Sequence, residues 1–524
     1  MKNRKINVLM RIQIILFTSI LVIACSDDIW INHYNAQPQL VSNSNIWATI
    51  ESTPELSSFA KILKAHGYDK TLSRSQAYTV FAPNNLSLAN LDTTHMDVDK
   101  ELIQNHIALS LQAASGYKDI PVGVLNGKRI KLSTKDSTNY SFGDAAFAVP
   151  SKSIVSTNGI VHILGGYESF FPNTFEYLAK GADLDSISKY FYSFDKKIFD
   201  QYSSVPGGIV NGKQIYLDSV FVHYNLLLSY YGNINSEDSS YTMLVPTNAA
   251  WNSAYSRIKP YFTSYISNKF RADSLTRANT TDALIQDLIF SNTIQHHPAD
   301  SMVSTLGHPF YKPDYLFSGS GAQMVTTSNG VAWVTNELKI DALDSWHRPI
   351  KVEAEWTSGR ITSPLGTPSV ERAPAGVNGV SNGMYLRLSP TSSNANPIVT
   401  FEIPGTLASN YDIYCVFISP KLLNPKVTKV LPCKVNFSLS YITTKGKLNN
   451  PVDMFPSSTG TFLTQTDAVM DTILVAQNFQ FQSSNYGERT NTVTLKISSK
   501  VGSDTGLYSR ELLIDCIFLK PKKQ

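Results

Sequence analysis

The chain has 524 residues, of which 42% are hydrophobic and 16% charged, and its formal net charge is +4. This length and apolar fraction exclude a wholly disordered chain and allow about two to four domains. The surplus charge lies in the first 24 residues, where four basic residues occur without an acid: Lys2, Arg4, Lys5 and Arg11. The remaining chain is neutral. Neutrality argues against nucleic-acid binding, which needs concentrated positive charge.

The amino-terminal segment has the pattern of an export signal. An apolar run over residues 12–23 follows the basic residues and is too short to span a bilayer comfortably. It ends at Ala24-Cys25, which resembles a lipobox, so we expect a signal peptide over 1–24, diacylglycerol on Cys25 and a lipidated tether over 25–44. The lipid would hold the protein at a membrane, and we expect no other cofactor. The alternative is an uncleaved signal anchor with an incidental cysteine.

Three polar residues follow the predicted lipidated cysteine: Ser26, Asp27 and Asp28. They resemble the surface-export signal of certain Gram-negative lipoproteins. This resemblance implies an outer-membrane protein that faces the cell exterior. The alternative is an ordinary polar tether.

The body of the chain contains an internal repeat. The segment 78–85 (YTVFAPNN) is echoed by 241–248 (YTMLVPTN), and 157–164 (TNGIVHIL) by 328–335 (SNGVAWVT). Each first segment predicts a buried strand ended by proline, with Asn residues placed to cap a helix, and each second segment predicts a tight Asn-Gly turn into a closing strand. Because the offsets are similar (241 − 78 = 163 and 329 − 158 = 171), the pattern predicts two consecutive modules.

At these residues the chain resembles the fasciclin domain family. The first copy, 45–170, carries the resemblance at 45–50, 59–65, 79–83, 102–107 and 158–164. The second copy, 171–343, is divergent, with Leu288 where the first has His106 and Trp333 where the first has His162. The resemblance implies compact α+β modules used in cell adhesion and extracellular binding.

The last third, 344–524, changes character. Helix signals disappear, and apolar residues alternate with polar ones at 384–388, 399–403, 433–441 and 493–497. Six or more short strands of this kind predict an all-β sandwich with a jelly-roll-like arrangement.

This sandwich resembles accessory modules of bacterial surface lipoproteins, several of which bind carbohydrate. A glycan site needs exposed aromatic rings with polar side chains nearby, and the candidates are Trp356, Arg360, Tyr385 and Arg387. The leading hypothesis is a non-catalytic protein that captures extracellular polysaccharide beside an outer-membrane transporter. One alternative is an adhesion protein whose fasciclin-like modules bind a surface protein or cell; another is that the aromatic side chains only pack at sheet edges.

The remaining reactive residues favour structural roles. His106 and His162 lie among apolar residues and are expected to be buried and hydrogen-bonded, whereas His296-His297 suggest an exposed loop. Cys415, Cys433 and Cys516 are expected to be buried thiols, with a disulfide between two of them as the alternative. Glu353 and Glu355 share one face of a possible strand, a spacing more typical of a solvated face than of glycoside hydrolysis. No catalytic motif accompanies them, and the sequence favours a protein that is not an enzyme.

Overall fold

The computed structural model describes residues 40–134, 139–148, 153–293, 300–454, 460–487, 492–504 and 506–523. The chain divides into two compact units, Met1–Pro172 and Asn173–Gln524. The predicted signal peptide and the residues Cys25, Ser26, Asp27 and Asp28 lie outside the described residues, as do His296 and His297. Within the described ranges, no helix is long and apolar enough to cross a membrane.

The first unit is an α+β module with two sheets. One sheet has the order β1-β8-β9-β2-β3 and the other β4-β5-β6-β7. The strands are β1 (Leu40–Val41), β2 (Tyr78–Pro83), β3 (Ile107–Ala108), β4 (Asp119–Gly123), β5 (Arg129–Thr134), β6 (Tyr140–Phe142), β7 (Ala145–Ala146), β8 (Ser153–Ser156) and β9 (Gly159–Leu164). The helices are α1 (Ile46–Ser52), α2 (Ser57–Ala65), α3 (Tyr68–Leu72) and α4 (Asn85–Leu88), with single turns at Pro54–Leu56 and Gln104–His106 and a π-helical segment at Val98–Ile103.

The first part of the second unit also combines helices with β-sheets. Its sheet has the order β13-β12-β17-β16, and two further hairpins pair β10 with β11 and β14 with β15. The strands are β10 (Asp195–Val210), β11 (Lys213–Asn225), β12 (Tyr241–Pro246), β13 (Ile289–Ser291), β14 (Ser301–Val303), β15 (Pro309–Tyr311), β16 (Gln323–Thr327) and β17 (Gly330–Thr335). The helices are α5 (Thr174–Lys180), α6 (Asp185–Tyr192), α7 (Leu226–Tyr231), α8 (Asn248–Ile258), α9 (Lys269–Ile285) and α10 (Asp314–Phe317), with a short turn at Lys259–Phe262.

The central strand pair has the same register in both parts. Strand β2 runs parallel to β9 with Tyr78 opposite Gly159, and β12 runs parallel to β17 with Tyr241 opposite Gly330. These strands are apolar and almost wholly buried because helices and neighbouring strands cover both faces, as is usual for parallel pairs. The sequence repeat therefore has a structural counterpart.

Glycine is required at the start of each closing strand. Gly159 has φ 151° and Gly330 has φ 153°, a region that other residues rarely adopt. A Cβ at either position would lie 1.9 Å from a backbone oxygen, that of Tyr78 or Tyr241 respectively. The glycines thus permit the close approach of the parallel strands.

The last part of the second unit is a β-sandwich. Two six-stranded sheets have the orders β20-β21-β29-β23-β27, with β18 beside β29, and β19-β22-β28-β24-β25, with β26 beside β24. Apolar side chains from both sheets form one core, including Leu386, Ile413, Phe437 and Leu495. The strands are β18 (Ile350–Glu353), β19 (Arg360–Thr362), β20 (Gly366–Arg372), β21 (Met384–Pro390), β22 (Ile398–Ile403), β23 (Asn410–Ile418), β24 (Lys434–Ser440), β25 (Val452–Met454), β26 (Phe462–Leu463), β27 (Met470–Gln480), β28 (Val493–Ser499) and β29 (Leu512–Pro521); α11 (Pro420–Leu423) and a turn at Ser381–Gly383 complete it.

The sandwich is hydrogen-bonded to the preceding part of the second unit. The N–H groups of Ala408 and Ser484 donate to the carbonyl oxygens of Tyr261 and Thr263, each over 2.8 Å. The sandwich residue Leu407 belongs to the hydrophobic core of the α+β part. The segments predicted as separate domains over 171–343 and 344–524 thus share one compact unit.

Candidate functional site

Trp356 is the most solvent-exposed of the four predicted glycan contacts. It lies in the connection between β18 and β19, and 52% of its surface is exposed. An exposed indole offers a broad apolar face together with a polar N–H group. This position is therefore open to a ligand from solvent.

Polar side chains surround this connection. The Arg360 guanidinium donates to the Ala354 carbonyl oxygen over 2.7 Å, and the Asn382 amide donates to Glu355 Oε1 over 3.2 Å. Asn382 has φ 51°, a left-handed conformation that asparagine tolerates better than most residues. We call Glu355, Trp356, Arg360 and Asn382 the Trp356 cluster.

One carboxylate oxygen of the Trp356 cluster is unused. Glu355 Oε2 is buried and has no hydrogen-bond partner among the described residues. A buried acceptor without a partner costs about 1–3 kcal/mol. A ligand hydroxyl or an ordered water could supply the missing donor.

Tyr385 and Arg387 lie on β21 and are engaged by carboxylates. The Tyr385 hydroxyl donates to Glu371 over 2.6 Å, and the Arg387 guanidinium contacts Glu371 at 2.7 Å and Glu511 at 2.6 Å. The hydrogen bond from Tyr385, together with Arg387, lowers the pKa of Glu371. Only 3% of Tyr385 is exposed, so its ring has no open face for a sugar in this structure.

The pair Glu353 and Glu355 differs from the expected solvated face. Glu353 is buried, accepts a hydrogen bond from the Ser381 hydroxyl at 2.6 Å and lies 3.1 Å from the Lys351 ammonium. The prediction was wrong for this residue because Ser381, from the turn before β21, and Lys351 cover the carboxylate. These contacts give Glu353 a structural role.

His106 and His162 are fully buried in the first unit and hydrogen-bonded, which confirms their predicted packing role. One ring nitrogen of His106 contacts the Leu102 carbonyl oxygen at 2.7 Å, and the other accepts the Glu168 N–H at 2.9 Å. His162 contacts the Ser153 hydroxyl at 2.8 Å and the Gln112 carbonyl oxygen at 2.6 Å. Burial lowers the pKa of both imidazoles to about 4, so both are neutral at pH 7.

The three sandwich cysteines are free thiols. Cys415 and Cys516 are buried, and Cys433 is half-buried with its thiol 3.0 Å from the Glu511 carbonyl oxygen. Burial raises the pKa of all three, to about 11 for Cys433. Raised pKa values make them poor nucleophiles, in agreement with the prediction of packing residues. In the described part of the chain, no group of three or more His, Cys, Asp or Glu residues could hold a metal ion.

Residues 54–165 match the family model of the fasciclin domain. This match assigns a fasciclin domain to residues within the first unit. Among curated proteins, no sequence matches the chain.

Several solved structures are similar to the chain at low identity. A FAS1 domain pair from the insect cell adhesion molecule fasciclin I is 12% identical, with a TM-score of 0.20, and the match covers 55% of this chain and 98% of that one. The CBM22-2 xylan-binding domain of Paenibacillus barcinonensis Xyn10C is 9% identical, with a TM-score of 0.18 and coverage of 33% and 99%. The enzymatically active domain of bacteriophage CBA120 tailspike protein 4 is 10% identical, with a TM-score of 0.19; the match covers 31% of this chain but only 19% of the tailspike chain.

Proposed function

We propose that this protein is a lipid-anchored, non-catalytic surface protein that binds extracellular glycan through its β-sandwich. The observation that carries the proposal is the Trp356 cluster, in which an exposed tryptophan occupies the same short connection as Glu355 and Arg360, and Asn382 is hydrogen-bonded to Glu355. Sugars present apolar C–H faces and many hydroxyls. The indole can pack against a C–H face, and the polar side chains can form hydrogen bonds with the hydroxyls. Of the four contacts expected from sequence, Trp356 and Arg360 remain in the proposed site.

The proposal includes an anchor and a location. Cys25 would carry the lipid, and Ser26, Asp27 and Asp28 would direct the protein to the outer leaflet of the outer membrane. There it would serve as an accessory of an outer-membrane transporter. Its neutral mature chain favours recognition by stacking and hydrogen bonding over bulk charge.

The proposal also treats residues 171–343 as a second fasciclin-like module and the sandwich as jelly-roll-like. The shared register of β2/β9 and β12/β17 supports the former. Two antiparallel six-stranded sheets around one core support the latter.

Retention of the full chain on polysaccharide gels tests the glycan proposal. We expect Trp356→Ala to lose at least tenfold in affinity for a polysaccharide that retains the wild type, with partial retention by Trp356→Phe. Tyr311→Ala is the matched control because this aromatic residue is 68% exposed on β15. Unchanged retention of Trp356→Ala, or no retention of the wild type by any polysaccharide in a broad panel, would count against the proposal.

Adhesion through the fasciclin domain is the second candidate function. Three apolar side chains between β3 and β4 are exposed: Leu109 (54%), Leu111 (50%) and Tyr117 (76%). Such a group marks a possible protein contact. Loss of cell or protein binding on changing Leu109, Leu111 and Tyr117 to Ser, with binding kept by Trp356→Ala, would favour adhesion.

A further inference from the structure

A pocket lies where the α+β part of the second unit meets the sandwich. Its volume is about 260 Å³, and its walls come from α8 and the following turn, from residues 340–347 and from the end of the chain after β29. Pockets for drug-sized ligands begin at roughly 300 Å³, so this one fits a ligand of a single ring. It shares no residue with the Trp356 cluster and does not depend on that proposal.

Aromatic rings form one side of the pocket. The Tyr261 and Trp346 rings lie 4.8 Å apart at 70°, and the His347 ring stacks on Trp346 at 5.8 Å. Both Tyr261 and Trp346 are only partly buried, so they line the pocket while packing against the core. This wall suits the apolar face of a ring.

His347 adds an unused polar atom. The residue is 2% exposed, and its Nε2 has no hydrogen-bond partner among the described residues. Burial lowers the pKa of this imidazole to about 4, which leaves it neutral at pH 7. A buried, unpaired nitrogen beside a pocket is costly unless a ligand or water pairs with it.

The lining carries more positive than negative charge. Its cations are Arg257, Lys522 and Lys523, and its one acid is Asp341. Lys523 pairs with Asp341 at 2.9 Å, and Lys522 pairs with Asp412, just outside the lining, at 2.5 Å. The Arg257 guanidinium donates to the Leu338 carbonyl oxygen at 3.1 Å. A guanidinium hydrogen-bonded to a carbonyl keeps its full charge, so Arg257 can still attract a carboxylate.

We propose that this pocket binds one acidic sugar residue. The carboxylate lies toward Arg257 and Lys523, the sugar ring faces Trp346 and Tyr261, and a hydroxyl pairs with His347. A neutral sugar would make no ionic contact with Arg257 or Lys523. A small carboxylate would have no ring to pack against Trp346 and Tyr261. Both features of the pocket are used only by a ligand that combines a ring with a negative charge.

Calorimetric titration of the full chain in detergent with sodium D-glucuronate tests the site, with D-glucose and sodium acetate as matched probes. We expect saturable binding of glucuronate at least tenfold tighter than that of glucose or acetate, weakening several-fold as NaCl rises from about 50 to 500 mM. Absence of glucuronate binding overturns the proposal. Equal binding of glucose overturns the role of charge, and equal binding of acetate overturns that of the aromatic wall.

Variants assign the binding to this pocket. Arg257→Gln and Lys523→Gln change exposed side chains, so we expect both to fold normally and to bind glucuronate at least fivefold more weakly. Tyr311→Ala, at an exposed aromatic residue outside both proposed sites, is the control and should bind glucuronate as the wild type does. Wild-type affinity in both Arg257→Gln and Lys523→Gln would overturn the assignment.

Discussion

Asn158 and Asn329 make the same three backbone hydrogen bonds in the two units. Each side-chain oxygen accepts the N–H of the first residue of a seven-residue helix, Ile46 at 2.7 Å and Thr174 at 2.9 Å. Each side-chain amide donates to two carbonyl oxygens of the segment preceding the central strand: Leu72 and Arg74, or Ile234 and Ser236. One buried asparagine therefore joins helix, loop and closing strand in each unit.

Replacing either asparagine is expected to destabilise its own unit. In Asn158→Ala and Asn329→Ala, three backbone groups, two of them in buried hydrogen bonds, lose their partner, and a net value near 1 kcal/mol per hydrogen bond gives a loss of about 2–4 kcal/mol in the free energy of unfolding. Urea denaturation followed by circular dichroism measures this. Asn233→Ala, at an exposed position, is the control and should change little. A loss below about 1 kcal/mol in both variants would contradict the structural role given to these residues.

Substitution of the glycines that follow these asparagines, Gly159 and Gly330, is expected to destabilise the fold even more. In Gly159→Ala or Gly330→Ala, the new Cβ would have to move backbone, since the contact at 1.9 Å is with a carbonyl oxygen. We expect a loss above about 3 kcal/mol or failure to fold, seen as a lower thermal midpoint or as insoluble protein. Gly123→Ala is the control because no atom lies within 4 Å of its added Cβ. Wild-type stability of Gly159→Ala would refute the close approach of β2 and β9.

The first unit should lose stability in acid through its buried histidines. The pKa of His106 and of His162 falls from 6.5 in the unfolded chain to about 4 in the fold, so the unfolded state binds protons first. The contribution of each is complete above pH 6.5 and is lost as the pH falls toward 4, by up to about 3 kcal/mol per histidine. Urea denaturation at pH 7, 5.5 and 4.5 should show this fall.

A histidine variant isolates that effect. His162→Gln keeps a polar side chain but does not titrate, so we expect a lower stability at pH 7 and a smaller change between pH 7 and 4.5. His66→Gln, at an exposed position, should keep the wild-type pH dependence. The same pH dependence in His162→Gln and the wild type would show that His162 is not responsible.

Arg387 should matter for stability and not for glycan retention. Arg387→Ala leaves Glu371 and Glu511 without their shared partner, and because these side chains are about one-third exposed we expect a modest loss of about 1 kcal/mol. Arg387→Lys should retain only part of the stability that Arg387→Ala loses, since the lysine ammonium lacks the planar guanidinium group that contacts both carboxylates. Denaturation and polysaccharide retention, measured on the same variants, separate the two roles. If Arg387→Ala lost polysaccharide retention without losing stability, Arg387 would have to be assigned to the glycan-binding site.

The sequence predicts the strand pairs better than the environment of their polar residues. The repeated Tyr-Thr and Asn-Gly segments locate β2, β9, β12 and β17 because proline, glycine and asparagine act through local backbone geometry. Alternation predicts β24 as half-buried, yet Asn436 and Ser438 on its polar face are also buried. Ser438 donates to Asp453 of β25, a partner that alternation within one strand cannot reveal.

For the candidate sites too, the sequence predicts individual residues better than their surroundings. An exposed Trp356 could be anticipated from a turn-rich segment, but Tyr385 is buried against Ile418 and Leu513, which come from distant strands. The pocket lined by Arg257, Trp346 and Lys523 could not be predicted from the sequence because these residues are far apart along the chain. A local sequence pattern cannot predict which distant residues tertiary packing brings together.

The hydrogen bonds from Ala408 and Ser484 to Tyr261 and Thr263 bear on how the protein can be dissected. A cut near residue 344 would leave these backbone groups unpaired on both fragments and would expose Leu407, so neither piece should behave as an autonomous folding unit. The second unit is then expected to melt in one cooperative step. Functional assignments within it are better sought by point substitution than by truncation.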